Sequence, residues 1–184
     1  TQVKWLESPK MFYSISMSPD GNYVMVKSIE KPFSYLVTYR SFPSITNVYD
    51  QEGKFVKEIL NAPLVEDLPQ GFMSTVKFPR SHSWRSDRPA TLVYAEALDG
   101  GDPAVEVEFR DQVYQWKAPF TGKATPLLKT INRYRFIQWG NDNVALAYDY
   151  WWNTRNTKTY LFNPENTEIP AKTIHDRNYQ DQYS

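Results

Sequence analysis

The sequence predicts an all-β chain built from about three repeating four-stranded antiparallel units. Three observations predict it. Three segments share one strand–turn–strand pattern, and each is followed by a second hairpin. No stretch holds an apolar period of 3.6 over about eleven residues. The 13 prolines, scattered through 184 residues, oppose long helices.

The first unit opens on the alternating run Tyr13 to Met17, turns at Ser18-Pro19-Asp20-Gly21, and continues as the apolar run Tyr23 to Val26. Pro19 presets φ for a type I turn, Asp20 can bond the local backbone, and Gly21 supplies the left-handed residue. A second hairpin follows: Ile45 to Asp50, a turn at Gln51-Glu52-Gly53, then Lys54 to Leu60. The second unit repeats this with Ser81 to Trp84, a turn over Arg85 to Pro89, and Ala90 to Ala95. Its second hairpin is Asp111 to Trp116, a turn through Gly122, and Lys123 to Leu128. The third unit reads Arg135 to Trp139, a turn at Gly140 to Asn143, Val144 to Tyr148, then Thr157 to Phe162 and the turn residues Asn163 to Asn166. The separation Met17–Trp84 is 67 residues, and so is Tyr49–Trp116; Trp84–Trp139 is 55. Long connections, Lys31 to Ser44 and Ala97 to Val107, account for the varying period.

In each unit the second strand is apolar on both faces, so it must be covered on both sides. Four-stranded units that repeat and hide both faces predict blades of a β-propeller. The expected blades span about 10–62, 72–130 and 131–175 of a single unit, 1–184. Propellers close with about 4–8 blades. Three make an open arc, so the chain reads as a fragment of a larger propeller, with end faces available for self-association. The same strands could instead form a compact two-sheet sandwich.

Composition excludes several function classes. Lys+Arg and Asp+Glu are both 21, giving a net charge of zero, unlike the basic face of a nucleic-acid binder. Without cysteine there is no disulfide framework, thiolate zinc site or thiol nucleophile. The seven glycines stand at 21, 53, 71, 100, 101, 122 and 140. No two are four, two or five apart, which rules out a G-x-S-x-G elbow, a G-x-G-x-x-G loop and a P-loop. No apolar run approaches the roughly 20 residues of a membrane helix. Thr1 to Lys10 lack the apolar core of a signal peptide and an initiator Met, so the chain reads as trimmed.

Three stretches resemble the glutamyl endopeptidase branch of the prolyl oligopeptidase (S9) serine peptidases. They are Lys31 to Pro43, Ser83 to Asp102 (the most specific), and Val105 to Tyr114. The resemblance implies an N-terminal propeller that caps a C-terminal α/β-hydrolase domain carrying a Ser-Asp-His triad. It implies that this chain is part of the non-catalytic half, gating peptide access to a catalytic domain it lacks. The implied partners are that domain and a peptide substrate, with no nucleic acid, no membrane and no cofactor. For bacterial members it implies a periplasmic or secreted location. No catalytic residue transfers to this sequence.

The candidate contact residues are Arg85, Glu96, Asp99, Arg110, Trp151 and Trp152. Arg85 and Arg110, with Arg88 and Asp111, form a charged set that could clamp a substrate carboxylate or pair structurally between blades. Glu96, Asp99 and Asp102 belong to an acidic loop in which Asp99 and Asp102 flank two glycines, so calcium is conceivable, but the loop lacks EF-hand spacing; a solvated or interdomain loop is the simpler reading. Trp151 and Trp152 fit a peptide or carbohydrate platform or core packing between blades. His82 and His175 lack metal-ligand spacing, and His82 reads as a hydrogen-bonded structural histidine. The rival functions are a self-standing protein-interaction module and a carbohydrate-binding module.

Overall fold

The computed structural model describes residues 10–181; the reading of Thr1 to Lys10 as a trimmed, leaderless start falls almost wholly outside them. Twelve strands form three four-stranded antiparallel sheets, each a meander in which every strand pairs with the next in sequence. The first sheet holds β1 (Met11–Met17), β2 (Tyr23–Ile29), β3 (Ser44–Asp50) and β4 (Phe55–Ala62). The second holds β5 (Arg80–Trp84), β6 (Thr91–Ala97), β7 (Asp111–Lys117) and β8 (Thr125–Thr130). The third holds β9 (Arg133–Asn141), β10 (Val144–Tyr150), β11 (Asn156–Phe162) and β12 (Lys172–Asn178). The helical content among the described residues is one 3-10 turn, Tyr39–Ser41, inside the long β2–β3 connection. The all-β class and the partial propeller are therefore as the sequence predicts.

The turns form for the reasons their residues suggest. At the β1–β2 turn the Gly21 amide donates to the Ser18 carbonyl at 2.9 Å, with Gly21 at φ +74°. The Ser18 hydroxyl donates to Asp20 at 2.6 Å and accepts from the Tyr23 amide at 3.0 Å, so one serine closes both ends of the turn. The β9–β10 hairpin is tighter than predicted. Its strands run through Gly140 and Asn141, leaving Asp142 and Asn143 as the connection. Gly140 allows this, because a Cβ there would sit 2.8 Å from the Val144 carbonyl oxygen.

Two cores join the sheets in sequence order. Met25 and Val48 of the first sheet meet Leu92 and Phe120 of the second, with Trp84 and Trp116 packed around them. Val93, Ala95 and Val113 on the other face of the second sheet meet Tyr134, Ala145, Ala147, Tyr160 and Phe162 of the third. Leu92 and Val93 are neighbours on one strand, yet both are buried, in different cores. Strand alternation sends them to opposite faces, and each face of the middle sheet has its own partner. Each such side chain contributes about 1.5–3 kcal/mol by leaving water.

The fourth strand of the third sheet, β12, begins past the Asn163 to Asn166 turn and extends beyond the predicted end at 175. Its sequence, KTIHDRN, is polar and almost wholly exposed, so no apolar pattern announces it. It is held as an edge strand by Lys158 pairing with Asp176 and by the Asn156 side chain donating through Nδ2 to Asp176 at 2.7 Å.

Candidate functional site

The predicted charged residues separate into two buried clusters at opposite ends of β5. The larger lies where Arg80 starts β5, Asp111 starts β7 and Arg133 starts β9. Asp111 accepts from Arg80, from the Tyr134 amide at 2.7 Å and from Arg133 at 3.3 Å. Asp99, in the β6–β7 connection, accepts from Arg133 and Arg110 at 2.8 Å each and from the Gly101 amide at 3.0 Å. Both carboxylates have fully buried side chains. Arg110 lies over the Trp151 ring at 3.8 Å, and Arg133 approaches the same ring at 6.0 Å. Burial pushes the Asp99 carboxyl up, but hydrogen bonds from Arg133 and Arg110 outweigh it and hold the group below its ordinary value.

This corrects the reading of Asp99 as a residue of a solvated loop or a cation ligand. Two guanidiniums occupy its oxygens, and Asp102 serves the local turn by accepting from the Ala104 amide at 2.9 Å. The loop folds back because Gly100 and Gly101 take φ of +66° and +81°. Arg133 joins the second and third sheets and was missed by sequence reasoning, since it stands two residues ahead of the strand predicted from Arg135 and no pattern marks it.

At the other end of β5, Arg85 is 1% exposed. It donates to Asp87 at 3.1 and 2.7 Å and to Gln115, and its guanidinium lies 4.4 Å from the Trp139 ring centre. Glu165, in the β11–β12 connection, lies 3.6 Å from Arg85 and 2.6 Å from Arg88. Arg85 is thus fully committed within the protein, and Arg88 offers the more accessible charge of the two.

The other candidates scatter. Glu96 sits on β6, and its charge, after burial, helps raise the Tyr114 phenol above its ordinary value. Trp151 is buried at 8% exposure. Arg155 lies over the Trp152 ring at 3.7 Å, and the Phe72 ring meets it tilted by 30° at 4.9 Å. Neither indole forms a bare platform. His175 lies on the exposed edge strand β12. His82 stacks on Tyr94 at 5.3 Å, but its Nε2 is buried with no hydrogen-bond partner, unlike the bonded histidine expected. Burial first, then Lys27, pushes its imidazole down to about 4.

One buried carboxylate was legible and overlooked. Asp149 interrupts an apolar strand between two tyrosines, a place where an acid needs several partners. It has them: the Asn132 amide at 2.9 Å, the Asn132 side chain at 3.1 Å, the Lys158 amide at 2.9 Å and the Tyr160 hydroxyl at 2.6 Å. Among the described residues no three His, Asp or Glu side chains gather as a metal site.

The chain matches the "Probable glutamyl endopeptidase, chloroplastic" of Oryza sativa subsp. japonica with 38% identity over 184 residues, 99% of this chain and 20% of that protein. The chain is similar end to end to a segment of glutamyl endopeptidases. The protein of the same name from Arabidopsis thaliana is 37% identical over 99% of this chain and 19% of its own length. The chain thus spans about a fifth of the length of these endopeptidases. The resemblance carried by Lys31 to Pro43, Ser83 to Asp102 and Val105 to Tyr114 is borne out. No protein-family model matches the chain. Two solved structures share the fold of this endopeptidase-like segment. The uncomplexed acylaminoacyl peptidase of Pyrococcus horikoshii has TM-score 0.50 and 15% identity, over 92% of this chain and 26% of that one. An uncharacterized protein from Listeria monocytogenes has TM-score 0.50 and 14% identity, over 90% and 40%.

Proposed function

We propose that the chain is a non-catalytic run of propeller blades from a serine endopeptidase, and that it restricts the catalytic domain to peptides. The observation that carries this reading is the 38% identity along the whole chain to one segment of a glutamyl endopeptidase. Two features of the chain support it. The glycine spacing contains no nucleophile elbow, so the attacking serine belongs to another part of the protein. The three sheets are locked in series by buried cores and ion pairs, which suits a rigid wall rather than a flexible lid. The mechanism is steric: a rigid ring of blades admits an extended peptide and excludes a folded domain. The partner in this reading is the α/β-hydrolase domain of the same protein.

The test compares one cleavable sequence in two settings, hydrolysed by the full-length protein. As a short peptide it is expected to show kcat/KM higher by about tenfold or more than when buried in a folded protein. Unfolding that carrier should abolish the difference. Equal rates on peptide and folded carrier would overturn the gating role.

A further inference from the structure

A cavity of about 340 Å³ opens between the first sheet and the leading strand of the second. That is within the size range of small-ligand pockets. One cross-strand row runs along it: Ser14 of β1 pairs with Lys27 of β2, Lys27 with Thr46 of β3, and Thr46 with Leu60 of β4. Opposite residues of a sheet share a face, so the cavity crosses from the β1 edge to the β4 edge. Its two ends differ in chemistry. Lys27, Arg80 and His82 belong to the β1 end, where the Trp84 indole ties β5 to the Ser16 carbonyl at 3.3 Å. Leu60, with Val65 and Phe78 of the β4–β5 connection, makes the far end apolar. Three cations, Lys27, Arg40 and Arg80, line the cavity and no aspartate or glutamate does, in a chain of zero net charge.

The charged end is poorly compensated. Lys27 lies 4.6 Å from the Tyr13 ring centre, and burial holds its ammonium below its ordinary value. Arg80 gives one nitrogen to Asp111, while its Nη1 is buried with no partner. The Nε2 of His82 is the second buried, unpartnered polar atom in the lining. Unsatisfied buried groups are rare and costly, and two stand on one short strand. The register of that strand breaks between Arg80 and Ser83, and Ser81 takes φ +58°. Regular alternation would turn Ser81 away from the face of Arg80 and His82. Here three consecutive residues, Arg80, Ser81 and His82, line the cavity, as a bulge that re-aims side chains permits.

We infer that this cavity is an effector site for a phosphate monoester with a small apolar body. The phosphate takes the end of Lys27, Arg80 and His82, and the body lies against Leu60, Val65 and Phe78. Charge selects the phosphate. A carboxylate brings one negative charge, whereas a phosphate monoester brings about −1.5 to −2 and three acceptor oxygens. That matches three cations without an acid, and two open nitrogens. Guanidinium–phosphate bonds are charge-assisted and strong. His82 donates in the tautomer that carries its proton on Nε2. The ligand is held and not turned over, so the inference does not rest on the gating role.

The experiment is calorimetric titration of the full-length protein at about pH 8, where the ester is a dianion. Phenyl phosphate carries both parts of the ligand, benzoate the ring with a single charge, and inorganic phosphate the charge without a ring. Phenyl phosphate is expected to bind, and the other two to bind at least about tenfold more weakly. Lys27→Met should weaken phenyl phosphate by about tenfold. Arg40→Gln, at an exposed residue whose replacement leaves the fold intact, should weaken it by about threefold. Lys57→Met, a change at a lysine that lies over Trp116 outside the cavity, should leave binding unchanged. An excess of acetyl-Ala-Glu-Ala-amide should also leave it unchanged, which separates this site from one for an acidic peptide side chain. Absence of phenyl phosphate binding, equal affinity for benzoate or for inorganic phosphate, displacement by the Glu peptide, or unchanged binding by Arg40→Gln would each overturn the inference.

Discussion

Asp111 shows how one residue ties two sheets. It receives two guanidiniums and a backbone amide while fully buried. Removing one member of such a group leaves the others charged and dry. Asp111→Ala is expected to lower unfolding free energy by about 3–5 kcal/mol, read from urea melts. A loss under about 1 kcal/mol would mean water enters the cluster freely. His82 gives a second residue-scale prediction. Its folded value of about 4 lies below the ordinary 6.5, so the unfolded chain binds more protons between those values. Stability contributed by the neutral imidazole is therefore present above pH 6.5 and is lost as pH falls toward 4, by up to about 3 kcal/mol. The difference in stability between the parent and His82→Phe should shift by that amount in favour of the variant as pH falls across the window. A pH-independent difference would contradict the buried, neutral assignment. Asp99 behaves in the usual carboxylate sense. Its lowered value stabilises above the ordinary aspartate range and is lost at lower pH than the His82 effect.

At the scale of elements, what could be read from sequence follows what writes a pattern. Turns with Pro, Asp and Gly at set positions, and strands apolar on both faces, placed β1 to β11 closely. The polar edge strand β12 carries no apolar signal, and its register depends on pairs such as Lys158–Asp176 that composition does not reveal. The ionic clusters were half legible. Arg85, Asp99, Arg110 and Asp111 stood out as charges near a glycine-rich loop. Their burial, and the third partner Arg133, arise from sheet packing between residues far apart in sequence. The loop itself is anchored by close backbone approach. The Thr75 amide donates to the Gly101 carbonyl at 3.0 Å, and a Cβ on Gly101 would sit 2.1 Å from the Thr75 carbonyl oxygen. Gly101→Ala is expected to cost about 1–3 kcal/mol, by φ strain and by displacing the β4–β5 linker. Gly122, where a Cβ meets nothing within 4 Å and φ is not in the left-handed region, should accept alanine with little change. Thermal melts of the two variants check the contrast, and equal melting temperatures would contradict it.

At the scale of the whole molecule, three sheets in series describe a piece of a larger architecture more naturally than a closed unit. The middle sheet has both faces covered, whereas β1 on the first sheet exposes Met11, Phe12, Ile15 and Met17 by 47–63%. Apolar patches of this kind mark surfaces that meet other structure. The buried charges of Asp99, Arg110, Asp111 and Arg133 are spent in holding the second and third sheets together. The central claim is that this segment walls a serine peptidase without supplying its nucleophile. The most direct measurement is labelling of the full-length protein with a serine-directed fluorophosphonate, followed by mass spectrometry of the tagged peptide. The account predicts a tagged serine outside the 184 residues described by this sequence. A tag on any serine within them would contradict it.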